Sequence, residues 1–306
     1  TCLSSQAGII LNEVHLNPPN GTDLGDRNFE YIELRSTLAT VDKTESTNGL
    51  TILIINNDRW DYKTNDLGVE VPTVLNLGEV TEAWSLEDMH TGTNGLLLLG
   101  DKYPEIPKGG PWAGFIDPAT EVGDPPGMGE GNIKSNDGLT IYLVSGYTNP
   151  TPNSGPVGNQ VVDFDVDNNG VFDWLQADPK PVGAITVQPW TATLDSVGMR
   201  DRNNSAWPTA PVPSGVTGIM EPYVASSANI NVYALTTPPT WSIGDRDPES
   251  FSRNAGVNTA SLASAWYGGK FVDPLSGTDP ATTTAYRPDR VFGLANGIAT
   301  PGRVNL

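Results

Sequence analysis

Residues 163–173 read Asp-Phe-Asp-Val-Asp-Asn-Asn-Gly-Val-Phe-Asp. Oxygen-bearing side chains recur at alternate positions from 163 to 169 and again at 173, which is how a loop wraps a hard cation. Counting Asp165 as position 1, Asp167 is position 3, Asn169 is position 5, Gly170 is position 6 and Asp173 is position 9. Val171 at position 7 offers its main-chain carbonyl. This is the first three quarters of an EF-hand-type calcium loop, with glycine where the chain must bend sharply. Asp163, two residues earlier, adds a further carboxylate. The spacing therefore predicts a calcium site made by Asp163, Asp165, Asp167, Asn169, Val171 and Asp173. Two other readings stay open: an acidic turn closed by side-chain-to-backbone hydrogen bonds, or a site for another cation.

The loop departs from an EF-hand in one place. Position 12 should be a bidentate Glu and is Gln176, so Asp178 or a distant carboxylate would have to replace it. Val161-Val162 before the loop and Trp174-Leu175 after it do not read as helices. The expectation is a short Asp-rich loop of the kind found in secreted proteins. Asp245 to Glu249, Asp23 with Asp26, and Asp117 with Glu121 and Asp124 are weaker acidic groups, better read as solvated turns.

Catalytic patterns are scarce. The only histidines are His15 and His90, and they form no zinc motif. His15 reads as a strand residue and His90 as solvent-facing in a polar loop. There is no nucleophile elbow, phosphate loop or dinucleotide fingerprint. Glu30 and Glu33 could suggest a glycosidase pair. Three positions apart on a strand, they point to opposite faces and cannot flank one bond. The expectation is a non-enzyme, with Glu13, Glu30 and Glu33 as framework residues, one of Glu30 and Glu33 bonded to backbone or an Arg inside the sandwich and the other facing solvent.

A formal charge of −19 opposes binding to nucleic acid or to an anionic membrane. No apolar run approaches the ~18 residues of a membrane span. The single cysteine, Cys2, permits no internal disulfide. It is left as lipidated, paired between chains or free, and the preceding Thr1 argues against a lipoprotein start. Gly (33) and Pro (26) are frequent and evenly spread, which reads as many turns between short strands.

Strands are expected at 8–16, 29–36, 49–57, 70–77, 94–100, 139–145, 192–199 and 229–236. Short helices are expected over 82–89 and 259–267. Strands without long intervening helices imply an antiparallel sandwich. The apolar runs at 50–55 and 96–99 predict central strands covered on both faces, with loops as covers. The eight tryptophans are expected in loops, either as a carbohydrate platform or as plugs under the loops.

Several segments in order resemble the lamin-tail domain. They are Ile9-Ile-Leu-Asn-Glu-Val-His15 with Asn17-Pro-Pro-Asn-Gly21, Phe29-Glu-Tyr-Ile-Glu-Leu34, and Asn94-Gly-Leu-Leu-Leu-Leu-Gly100. Ser135-Asn-Asp-Gly-Leu-Thr-Ile-Tyr-Leu143, Leu194-Asp-Ser-Val-Gly198, Ser250-Phe-Ser-Arg-Asn254 and Thr300-Pro-Gly-Arg-Val-Asn305 follow. The resemblance implies an all-β, immunoglobulin-like antiparallel sandwich with little helix. It would form one elaborated domain over 8–306, after an extension at 1–7, with insertions near 101–135, 147–190 and 202–250. Bacterial lamin-tail-like proteins often carry an Asp-x-Asp-x-Asn-Gly insertion, which supports calcium.

These readings converge on a bacterial secreted or cell-surface structural protein, stabilised by calcium and self-associating into a filament or surface layer. The segments 8–16 and 291–306 are candidate donor strands for a neighbouring copy. The alternatives are a soluble adhesion module for carbohydrate or protein, and an accessory domain of an extracellular hydrolase.

Overall fold

A computed structural model describes residues 8–15, 31–56, 62–64, 70–72, 78–100, 116–123, 139–154, 161–168, 171–199, 229–230, 250–253, 257–260 and 266–269. Regular structure among the described residues is almost entirely β. Thirteen strands run in order: β1 (Ile9–His15), β2 (Tyr31–Ser36), β3 (Leu50–Asn56), β4 (Tyr62–Thr64), β5 (Glu70–Pro72), β6 (Val80–Ser85), β7 (Leu96–Gly100), β8 (Glu121–Gly123), β9 (Leu139–Ser145), β10 (Ala192–Met199), β11 (Asn229–Ile230), β12 (Ser250–Arg253) and β13 (Trp266–Gly269). One 3-10 turn, Asp173–Leu175, is the helical exception.

Two mostly antiparallel sheets form the body. One has six strands in the order β13-β12-β1-β2-β7-β8, the other five in the order β11-β10-β9-β3-β6. The pairs β7–β8 and β10–β11 are parallel. The strands β4 and β5 make a separate hairpin. No helix among the described residues is long and apolar enough to cross a membrane.

The two sheets meet through alternate residues of their strands. Ile9, Leu11 and Val14 of β1, Ile32 and Leu34 of β2, and Leu97 and Leu99 of β7 form one side. Leu50, Ile52 and Ile54 of β3, Ile141 and Leu143 of β9, and Val197 of β10 form the other. Strict alternation would send Leu11 and Val14 to opposite faces. A bulge at Asn12, between the pairs Leu11–Leu34 and Glu13–Glu33, restores the phase and turns both inward.

The continuous apolar strands are covered on both faces, as expected. Every residue of β3 and of β7 is buried. On the outer face of β3 and β9, Leu53, Ile55, Tyr142 and Val144 pack under Val162, Phe164, Phe172 and Trp190. At roughly 1.5–3 kcal/mol per buried large apolar side chain, this face needs its cover.

Three local expectations need correction. Residues 80–85 form strand β6 rather than a helix, because pairing with β3 and burial of Trp84 in the core override a weak helical pattern. Trp266 likewise opens strand β13, while 261–265 lie outside the described residues. Trp84 and Trp266 are strand residues packed into the core, not loop residues. Of the strand expected at 70–77, Glu70–Pro72 is observed, and of that at 229–236, Asn229–Ile230; the remainders lie outside the described residues. Residues 9–15 pair with β2 on one side and β12 on the other, so they already serve this chain's own sheet. The proposed donor segment 291–306 is outside the described residues.

Candidate metal centre

The stretch beginning at residue 161 joins the five-stranded sheet before it bends. Val80 N donates to Val162 O at 2.8 Å, Phe164 N donates to Gly78 O at 3.0 Å, and Asp163 bridges Glu79. Gly78 makes this approach possible. A β-carbon there would lie 2.6 Å from Asp165 N and 2.9 Å from Asp163 Oδ1, and φ is +86°. The aromatic residues then anchor the loop. Phe164 packs edge-on against Phe172 and Trp174, Phe172 stacks on Trp174 at 4.5 Å, and Trp174 meets Trp190 at 5.2 Å. Hydrophobic docking thus fixes where the acidic residues between the anchors must lie.

Three of the expected ligands come together. One carboxylate oxygen each from Asp165, Asp167 and Asp173 lies within 4.8 Å of the others. Asp165 and Asp173 are fully buried, while Asp167 faces solvent. The bend between them passes through Asn168 at φ +54°, and Asn168 N donates to Asp165 O at 2.8 Å. Asp173 begins the 3-10 turn; its Oδ1 accepts from Val166 N at 3.3 Å and its Oδ2 from Ile185 N at 3.1 Å. Lys180 Nζ donates to Asp173 O and Gln176 O, at 2.8 and 2.9 Å.

The other expected ligands separate. Asp163 Oδ1 accepts from Asp165 N at 2.8 Å, and its main chain is held by Asn153 on both N–H and carbonyl. Asp163 is thus engaged in shaping the loop and stands outside the triad. Asn169 is outside the described residues. Val171, 41% exposed, contributes its carbonyl to a bond from Gln176 Nε2 at 3.0 Å. Asp178, considered as a replacement for the missing Glu, is exposed and is not part of the triad.

The electrostatics suit a cation. Burial pushes the Asp173 carboxyl above its ordinary value, backbone donors oppose this, and the Asp167 charge adds to the rise. Burial raises Asp163 to about 6, with Asp173 and Asp167 contributing repulsion. Two buried carboxylates beside a third cost free energy that a divalent cation would offset. The donors are all oxygen, which fits a hard ion such as calcium or magnesium and not a soft metal. Seven or so oxygens would satisfy calcium, so water must complete the shell on the open Asp167 side.

A second polar cluster lies on the outer face of the six-stranded sheet. Glu13 and Glu33 sit directly opposite each other across β1 and β2, both fully buried. Tyr31 Oη donates to Glu13 Oε1 and Asn12 Nδ2 to Glu33 Oε1, both at 2.5 Å. The Glu33 charge also acts on Arg35, whose guanidinium donates to Val257 O and Asn258 Oδ1. The framework expectation fits this placement. The register gives Glu33 the cross-strand partner Glu13, while Glu30 is outside the described residues.

Between the sheets, Asp195 of β10 meets Arg253 of β12 at 2.5 Å, both fully buried. The guanidinium also donates to Leu11 O and Thr259 O and lies 4.6 Å from the Trp266 ring centre. Asp195 accepts from Leu11 N at 3.0 Å. This clasp closes on the β1 bulge and ties both sheets. The sequence contained its two halves, in Leu194–Gly198 and Ser250–Arg253, but nothing local could match them. His90 is exposed, as expected, with Nδ1 3.0 Å from Thr91 O.

Comparison of the chain with protein-family models, curated proteins and solved structures finds no match.

Proposed function

We propose that this chain is a calcium-stabilised structural protein of the cell surface or extracellular space. The reading takes its sandwich as lamin-tail-like and immunoglobulin-like, and includes self-association into a filament or surface layer. One observation carries it: the Asp165, Asp167 and Asp173 carboxylates converge in the segment that covers the outer face of β3 and β9. A cation there would tie the start of the segment, at Asp165, to Asp173, which already holds Ile185 N. The cover of a large apolar face would then depend on the ion. No catalytic role is assigned to any residue.

Self-association draws support from the same insertion. Val171, Leu175, Val182 and Val187 expose 41, 68, 98 and 74% of their surface. Such side chains gain from lateral contact between copies, and the −19 charge makes that contact dependent on salt or divalent ions.

The test is thermal unfolding in calcium and in excess chelator. At a calcium concentration a hundred times the dissociation constant, linkage supplies about 2.7 kcal/mol, a shift of roughly 4 °C for a chain of this size. An unchanged midpoint would reject the ion. Negative-stain imaging and light scattering under both conditions test assembly, and monomers throughout would reject it.

A further inference from the structure

We infer that Gln176 gates the loop: its side-chain amide competes with the cation for the centre of the oxygen ring and sets the affinity. The inference rests on the cation reading given above. Gln176 Nε2 lies 3.1 Å from Asp167 Oδ1, 3.0 Å from Val171 O and 3.3 Å from Asp173 Oδ1. Those three oxygens are the ones that the loop register places at positions 3, 7 and 9. A single partly positive amide group thus reaches a side-chain oxygen, a main-chain carbonyl and a buried carboxylate at once.

Calcium binds oxygen at about 2.3–2.6 Å, so a cation drawing on these oxygens needs the space that Nε2 fills. The backbone of Gln176 cannot retreat readily. Its N–H donates to Asp173 O at 3.2 Å, and its carbonyl accepts from Lys180 Nζ at 2.9 Å. The side chain is the part left to move. Turning the amide over removes the donor from the ring and presents Oε1, so the competing group becomes a neutral ligand. A Glu at this position would bring a permanent charge and two oxygens instead. Gln176 therefore holds the loop in shape when calcium is scarce and admits the ion only at high concentration. The range this implies is that of extracellular calcium modules, roughly 10⁻⁴–10⁻³ M.

The experiment compares the full chain with Gln176→Glu and Gln176→Ala. Calcium chloride is titrated calorimetrically into each, and each is melted in excess chelator. Gln176→Glu should bind calcium at least about tenfold tighter, because charge and denticity both rise. The same variant should melt below the parent in chelator, since it sets another carboxylate beside Asp167 and Asp173. Gln176→Ala should also melt lower in chelator, without the gain in affinity. Equal affinities and equal chelator midpoints in all three chains would overturn the role of Gln176 while leaving the calcium site intact. Tight binding by Gln176→Glu with no loss in chelator would show that the amide does not brace the ring. If calcium produces neither heat nor a melting shift in the parent and in Gln176→Glu, the site itself is wrong.

Discussion

Replacing Arg253 by Met tests whether one buried ion pair holds the two sheets together. The substitution removes the 2.5 Å bond to Asp195, the bonds to Leu11 O and Thr259 O at 2.7 Å each, and the contact with Trp266. Asp195 keeps Leu11 N at 3.0 Å and Ser196 N at 2.9 Å but loses its described counter-charge in a fully buried position. Charged hydrogen bonds of about 1.5–3 kcal/mol each would sum to more than the net effect, because relief of the guanidinium's burial offsets part of the loss. Burial already pulls the Arg253 guanidinium below its usual value while Asp195 pulls it back up, so the two effects oppose each other here. The expected cost is about 3–5 kcal/mol, the range for removing one partner of a buried pair. Asp195→Asn should cost a similar amount for the opposite reason. The double variant should cost less than the two together, with a coupling near 2–3 kcal/mol. Urea unfolding followed by tryptophan fluorescence measures all four chains, with Trp84 and Trp266 reporting from the interface between sheets. Effects that add to within about 0.5 kcal/mol would refute a direct clasp.

Gly78→Ala should cost about 1–3 kcal/mol, because the new β-carbon meets the Asp165 main chain at 2.6 Å. Gly49→Ala is the control; its φ is +78° but nothing lies within 4 Å, so about 1 kcal/mol of backbone strain is expected in urea unfolding. Asp173→Asn keeps an oxygen for Ile185 N and removes one charge, so the melting shift on adding calcium should shrink to near zero while the parent keeps its full shift. Burial raises the phenols of Tyr142 and Tyr147, the latter to about 12. With folded values above the ordinary value of 10, the neutral form favours the fold; its stability is complete below pH 10 and falls as pH climbs through about 12. A Tyr142→Phe, Tyr147→Phe chain should therefore unfold at higher pH than the parent in an alkaline titration followed by circular dichroism.

Most of the fold was legible because burial leaves a periodic imprint. Runs such as Ile52–Ile55 and Leu96–Leu99 contain no polar break, which is tolerated only where both faces are covered, and both strands are buried throughout. The short edge strands were harder to read. Val80–Ser85 carries Thr, Glu and Ser beside its one fully buried residue, Trp84, and its identity as a strand comes from pairing with β3. Local pattern cannot report a partner distant in the chain.

The acidic loop shows the same division. Alternating oxygens about a glycine at residues 163–173 were enough to indicate chemistry for a hard cation, because that property depends on spacing within a dozen residues. Which carboxylates converge depended on the aromatic anchors and on Gly78, which draw Asp163 into the main-chain scaffold and leave Asp165, Asp167 and Asp173 facing one another. The amide of Gln176 entered the ring through a 3-10 turn that the sequence did not announce. The Asp195–Arg253 clasp and the Glu13–Glu33 pair join residues 58 and 20 positions apart, through strand register and two-sheet packing. By itself, then, the sequence determined the β character, the central strands and the acidic, oxygen-rich make-up of the loop, all of which rest on short-range pattern. Tertiary structure alone decided which charges meet, because that depends on registers and bulges that no short window of residues encodes.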